Sequence, residues 1–288
     1  WCGNSILHEA VMGFLCFPSG VALNITIRLK KTIVVLLTCL ILYQFYVSRT
    51  PALTQSISLK EVSLYQGDLV LINKQTKIQE DPRNLSIVTK QVSETSLEPD
   101  LLLEDHVAAA LQRMMQRAKK VGIDHFQINS AYRSGKVQQA LYEEYGADFA
   151  LPAGHSEHQT GLSVDIGSTR GKMKQSKEGR WLAKHAHQFG FVIRYPKGKE
   201  SLTGISFEPW HIRYVGLPHS TKMYEENWVL EEYLNYLKQE HAYQIQTAGR
   251  TYFVQYTKHR ALKIPDTPVF HVSGTNTKGF IVTSRLPK

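Results

Sequence analysis

Two stretches of this 288-residue chain crowd histidine and carboxylate where a packed core would place apolar side chains: HSEHQTGLSVDIG at 155–167 and FEPWHIRYVG at 207–216. A catalytic zinc ion takes three nitrogen or oxygen ligands from the protein and keeps a fourth position for water, so a candidate site needs a His/carboxylate triplet with a further base close by. His158, Asp165 and His211 supply such a triplet, and Glu208 the base. Gly161 breaks the chain between His158 and the alternating segment Leu162 to Asp165, an arrangement that brings a strand residue back beside a loop histidine. Glu208 and His211 lie three apart across Pro209 and can face one centre. A glutamate so placed takes a proton from water and later returns it to a leaving amine. Taken singly, each of these residues reads as a surface or capping group, and the spacing alone leaves both that reading and the metal site open. The triplet is complete without His155, and His185 and His187, two apart on a helix, point away from each other.

The elements that must hold these residues are legible around them. Val107, Leu111, Met114, Met115 and Ala118 recur at helical spacing within 103–121, and Gly122 is placed to stop that helix. HFQINSAY (125–132) alternates as a strand, GKVQQALYEEYG (135–146) returns to helix, and GRWLAKHAHQFG (179–190) gives another helix before the strand FVIRYP (191–196). YQGDLVLINK (65–74) reads as a short strand after a glycine turn, and VLEEYLNYLKQE (229–240) as the helix that closes the domain. Strands separated by helices, with no glycine-rich phosphate loop, indicate a compact α+β domain rather than a nucleotide-binding fold. Beyond residue 240, RTYFVQY, PVFHVS and GFIVT are short β-like runs of a small extension, either packing or positioning in purpose.

The formal charge of +9 suits any anionic partner, but no run of five basic residues and no nucleic-acid-binding motif is present, so nucleic acid is not an expected partner. The three cysteines, Cys2, Cys16 and Cys39, all lie upstream of the candidate site, so a metal there must be held by histidine and carboxylate. Residues 32–47, TIVVLLTCLILYQFYV, follow Arg28, Lys30 and Lys31 in the pattern of a signal or membrane anchor. Ser48, Arg49, Thr50 and Pro51 offer no small-residue cleavage site, which favours an uncleaved single-pass anchor with everything after residue 50 outside the cytoplasm. The expected organisation is a cytoplasmic or non-native leader at 1–31, the anchor at 32–47, a linker at 48–61, the catalytic domain at 62–240 and the β-rich extension at 241–288.

S-E-H-Q-T-G-L-S-V-D and E-P-W-H resemble the S-x-H-x-x-G-x-A-x-D and E-x-W-H signatures of VanY-type zinc D,D-carboxypeptidases, with Ser163 in the alanine position. SAYRSGKVQ (130–138) is similar to the family's S-G-Y-R-x-x-x-x-Q motif, with Ala131 for glycine, and the resemblance runs from about Tyr65 to Leu237. It implies a compact α+β zinc-peptidase domain of the Hedgehog/D,D-peptidase kind, with a mixed or antiparallel sheet flanked by helices. It also implies one Zn2+ on His158, Asp165 and His211, with Glu208 activating water and Arg133 stabilising the oxyanion. Gln138, Ser156 and Tyr195 take the positions of substrate contacts, and Trp210 that of a pocket wall or of core packing. The implied activity is removal of the terminal D-alanine from peptidoglycan precursor peptides ending in D-Ala-D-Ala, at the outer face of the membrane, in association with glycopeptide resistance. Two alternatives remain at this point: an L,D-carboxypeptidase of wall tetrapeptides, and a wall-binding module that keeps zinc without turnover.

Overall fold

The computed structural model describes residues 31–39, 50–88, 101–147 and 149–287, in a chain that divides into two units, 1–51 and 52–288. In the first unit, residues 31–39 form a helix, α1. Most of the expected leader, and residues 40–47 of the expected anchor, lie outside the described residues. Among the described residues no helix is long and apolar enough to cross a membrane.

The second unit begins β1 (Leu53–Ser58), β2 (Leu85–Ile87), β3 (Leu102–Glu104), α2 (Asp105–Lys119), β4 (Phe126–Ser130) and α3 (Gly135–Tyr145). A 3-10 turn, Glu157–Thr160, leads into β5 (Ser163–Ser168), followed by α4 (Lys177–His185), β6 (Phe191–Tyr195), α5 (Glu200–Thr203) and β7 (Glu208–Tyr214). The chain ends α6 (His219–Glu225), α7 (Leu230–Glu240), β8 (Ala242–Thr247), β9 (Arg250–Thr257), β10 (Ala261–Pro265), β11 (Phe270–Gly274) and β12 (Phe280–Arg285).

The central sheet has the order β4-β5-β7-β6 and is antiparallel throughout. One face packs on α2, whose Val107, Leu111, Met114, Met115 and Ala118 are buried against Ile128, Val164, Ile166 and Ile212 of the strands. Their recurrence at three and four residues makes the apolar stripe that sequence periodicity predicts, and burying a side chain such as Leu111 contributes about 1.5–3 kcal/mol. Asp165 on β5 and His211 on β7 alternate with these apolar strand residues and so fall on the opposite face.

Two expectations change. Residues 65–74 do not form a strand: Leu69, Val70 and Ile72 are buried, but their backbone groups are taken by other partners. Ser273 Oγ accepts from the Leu69 N–H, Arg213 donates to the carbonyls of Asp68 and Val70, and Asn276 donates to that of Leu71, so no ladder is left to build. The expected linker contains β1, which pairs antiparallel with β10, so the folded unit starts at Ala52 rather than 62. The β-rich extension serves the packing purpose, the first of its two expected ones. Its sheet, β11-β12-β9-β8, contributes Val254, Tyr256 and Ile281 to one core with Val192, Val215, Leu230, Tyr233, Leu234 and Leu237.

A buried imidazole joins the two parts. His219 on α6 bonds through Nδ1 to the Tyr233 hydroxyl at 2.5 Å and through Nε2 to the Thr283 hydroxyl at 2.9 Å. Burial, reinforced by His271 and opposed by Asp68, pushes its pKa down to about 4. The folded state therefore favours the neutral ring, while the unfolded chain binds a proton near pH 6.5; stability intact above that pH is lost as the pH falls toward 4, roughly 3 kcal/mol in all. The non-titrating variant His219→Gln is expected to show a shallower fall in urea midpoint between pH 7 and pH 4.5 than the wild type. A fall of equal steepness in both proteins would assign the acid sensitivity to another group.

Candidate metal centre and active site

Asp165 and His211 are direct cross-strand partners on β5 and β7. Such neighbours carry their side chains about 4.5–5.5 Å apart on one face of a sheet. Both flanking pairings are irregular at this level. The β4–β5 register shifts between Ile128 and Ser130, opposite Asp165, and the β6–β7 register shifts between Ile193 and Tyr195, so that Tyr195 pairs with Glu208. Bulges of this kind re-aim side chains out of strict alternation. The second one lets Glu208 and His211, three apart and nominally on opposite faces, address one centre.

His158 comes from the 3-10 turn between the strands. Ser156 caps that turn by accepting from the His158 N–H at 3.4 Å, and Gly161 ends it at φ +69°, a conformation that favours glycine. The His158 Nδ1–H donates to the Ala131 carbonyl at 2.5 Å, which turns Nε2 toward Asp165 Oδ2, 3.3 Å away. His211 Nδ1 lies 2.9 Å from Asp165 Oδ1. One ligand atom from each of the three residues lies within 4.8 Å of the others, and no other group of the kind is found among the described residues.

The two separations around Asp165 suit a zinc ion. Nitrogen and oxygen ligands at 2.0–2.2 Å from a tetrahedral centre stand roughly 3.3 Å from one another, close to the two contacts around Asp165. The electrostatics agree. Burial works to lift the Asp165 carboxyl, but His158 and His211 hold it well below its usual range. Burial lowers His158. It acts downward on His211 too, but hydrogen bonds to Asp165 and Glu157 overcome it and raise that imidazole to about 9. The cluster thus favours a positive charge between its carboxylates, which a bound cation satisfies as well as a proton does. Burial raises the Glu208 carboxyl, with Asp165 and Glu157 adding to the effect and His211 and Arg133 opposing it.

The remaining expected residues surround this cluster in different capacities. Arg133 reaches to 4.0 Å from Asp165 Oδ2. Gln138 is 1% exposed, accepts from Arg133 Nη1 at 2.9 Å and donates to the Leu151 carbonyl at 2.6 Å. Through these two bonds Gln138 holds Arg133 in place. Ser156 is buried and serves as the cap. The Tyr195 ring lies 4.9 Å from that of His211, and burial keeps its phenol protonated well above the usual range. Trp210 is 41% exposed, which excludes the core-packing role. His155 bonds the Asn73 carbonyl, His185 lies against Trp181 and His187 stacks on Tyr224, all apart from the ligand set.

Sequence reasoning misses Glu157. Its side chain is fully buried, as are those of Arg194 and Arg213, with which it pairs at 2.8 and 2.7 Å. Arg194 in turn forks onto Glu231 of α7. A glutamate inside a polar stretch looks solvated until partners 37 and 56 residues away are seen beside it. The available signal is an arginine in each of the apolar strands FVIRYP and EPWHIRYVG.

The VanY family profile, described as D-alanyl-D-alanine carboxypeptidase, matches residues 100–217. The chain is 42% identical over 245 residues to a D-alanyl-D-alanine carboxypeptidase of Enterococcus faecium, covering 82% of this chain and 81% of that protein. Its structure is similar to that of the vancomycin-resistance D,D-dipeptidase VanXYg in complex with a D-Ala-D-Ala phosphinate analogue, at 32% identity and a TM-score of 0.71, over 81% of this chain and 99% of the other. It also resembles a VanY D,D-pentapeptidase variant from a VanB-type resistance cassette in complex with Zn(II), at 31% identity and a TM-score of 0.50, over 58% and 99% of the two chains.

Metal analysis of the purified protein tests the ligand set. His158→Ala and His211→Ala are each expected to lose most bound zinc, whereas Gln138→Ala, whose amide bonds to Arg133 and the Leu151 carbonyl, is expected to retain it. Full zinc occupancy in either histidine variant would remove that residue from the set.

Proposed function

This chain belongs to the VanY family of D-alanyl-D-alanine carboxypeptidases, and we propose that it is a zinc-dependent D,D-carboxypeptidase that removes the terminal D-alanine from peptidoglycan precursors ending in D-Ala-D-Ala, contributing to glycopeptide resistance. The observation that carries the zinc assignment is the His158–Asp165–His211 cluster, its ligand atoms within 4.8 Å of one another, with the half-buried Glu208 in electrostatic reach of it. The likeness to a VanY structure in complex with Zn(II) supports the same metal. When bound on these three residues, zinc supplies Lewis acidity, polarising a carbonyl and making water easier to deprotonate.

The chain's own groups account for the rest of the reaction. Burial raises the Glu208 carboxyl, which makes it a readier acceptor for a proton. It takes the proton of the attacking water, and the oxygen adds to the carbonyl carbon of the last amide. Arg133, pinned by Gln138, presents a fixed guanidinium to the oxyanion that develops there. Glu208 then delivers its proton to the departing amine nitrogen, the C–N bond breaks, and D-alanine leaves with no covalent enzyme intermediate. We assign substrate contact to the Tyr195 phenol, whose ring lies beside that of His211, and to the exposed Trp210 ring. The apolar run at 32–47 after Arg28, Lys30 and Lys31 supports an anchored protein with this domain outside the cytoplasm, where wall precursors are met.

Incubation with a pentapeptide ending in D-Ala-D-Ala is expected to release free D-alanine, and a zinc chelator to stop it. No release by folded, zinc-loaded protein, with release from an L,D-terminated tetrapeptide instead, would move the assignment to L,D-carboxypeptidase. Glu208→Gln is expected to bind zinc normally and to lose about 100-fold or more in kcat, the usual weight of a general acid-base. Gln138→Ala, by releasing Arg133, is expected to lower kcat by up to ~100-fold, the scale on which misplacement by an ångström acts.

A further inference from the structure

We propose that Glu157 is the positioning residue that fixes His211 as a metal ligand, holding the Nε2 side of its ring so that Nδ1 is presented to the metal. The inference rests on the zinc reading of the site. An imidazole ligand needs one nitrogen free for the metal and the other held, which sets its tautomer and orientation. At His211, Nδ1 is the nitrogen facing the cluster, 2.9 Å from Asp165 Oδ1, and Nε2 points away toward Glu157 Oε2 at 3.5 Å, at the outer limit of a hydrogen bond.

The two oxygens of Glu157 have different tasks. Oε1 receives both Arg194 Nε, at 2.8 Å, and Arg213 Nη1, at 2.7 Å. Oε2 is left for His211 and for the Ser163 hydroxyl, which donates to it at 3.2 Å. Arg213 is itself locked by the carbonyls of Asp68, Val70 and Tyr214, and Arg194 by its fork onto Glu231. The carboxylate therefore cannot swing away from the imidazole without breaking charged hydrogen bonds among side chains that are fully closed to solvent. Stability alone is a poor reason for such a buried group, because desolvating three charges offsets much of their attraction. Aiming one anionic oxygen at the back of a ligand imidazole, which also makes that ring a better donor to a metal, is a use that a hydrophobic replacement could not serve. A single short turn thus supplies one ligand, His158, and orients another, His211, from the adjacent strand.

The test compares zinc dissociation constants, measured by competition with a chromophoric chelator on the purified protein, for wild type, Glu157→Gln and Glu231→Gln. Glu231→Gln removes a carboxylate from the same Arg194 without touching His211, and thermal melts place the two variants on a common scale of fold damage. Glu157→Gln is expected to weaken zinc binding about 10- to 100-fold and to shift the visible absorption of the Co(II)-loaded protein, with Glu231→Gln close to wild type in both. Wild-type affinity and spectrum in folded Glu157→Gln, or the same loss in both variants, would overturn the proposal. If Glu157→Gln does not fold, Glu157→Asp keeps the charge for both arginines and withdraws the oxygen from His211; weaker zinc binding supports the proposal and unchanged binding overturns it. D-alanine release by the wild type, assayed alongside, separates the two readings. Zinc binding without release removes the assigned reaction and leaves the Glu157 comparison standing, whereas a wild type that binds no zinc removes this inference.

Discussion

Asp165 and His211 face each other across β5 and β7, and the register of that one antiparallel pair governs the site. A slip of one residue would send both side chains to the face occupied by α2, where Val164 and Ile212 now lie. The register is held by the apolar residues on either side of the polar pair, so the core under α2 and the metal cluster above it are set by the same hydrogen-bond ladder. The bulges on β4 and β7 depend on it in turn. They distort the pairing beside Asp165 and His211, and thereby add Glu208 to a centre that strict alternation would have denied it.

Charge is arranged in two layers around this pair. Next to the cluster stand Asp165, Glu208 and the two histidines, a field that favours a cation. Behind it, Glu157, Arg194, Arg213 and Glu231 form a closed buried array in which carboxylates and guanidiniums balance. Placing uncompensated charge so deep would be prohibitive, and the array avoids this by satisfying its members with one another and with backbone carbonyls. Gln138 performs a neutral version of the same service for Arg133, tying it to the Leu151 carbonyl.

The carboxyl-terminal sheet belongs to this construction. Its Val254, Tyr256 and Ile281 share a core with α7, and α7 carries Glu231, the outer member of the charge array. His219 bonds to Tyr233 on one side and to Thr283 of β12 on the other. The extension therefore stands within two contacts of the strands that carry the site, consistent with a fold match that extends over 81% of the chain rather than over residues 100–217 alone.

The chemistry was legible in the sequence because it resides in residue types: His158, Asp165, His211 and Glu208 stand out as polar groups at short spacings, and the helices around them show in the 3.6-residue recurrence of residues such as Leu111 and Met115. The α+β class follows from that same local periodicity. What only the tertiary structure decided are relations between residues far apart in the chain. β1 finds its partner more than 200 residues on, the apolar run at 65–74 gives its backbone groups to Arg213, Ser273 and Asn276 instead of to a strand, and Glu157 becomes an internal counter-ion through arginines on two other strands. Periodicity reports which face of a segment is buried, but hydrogen-bond partners and counter-ions are chosen by whatever the folded chain brings alongside, and the chain on either side of a residue does not carry that choice.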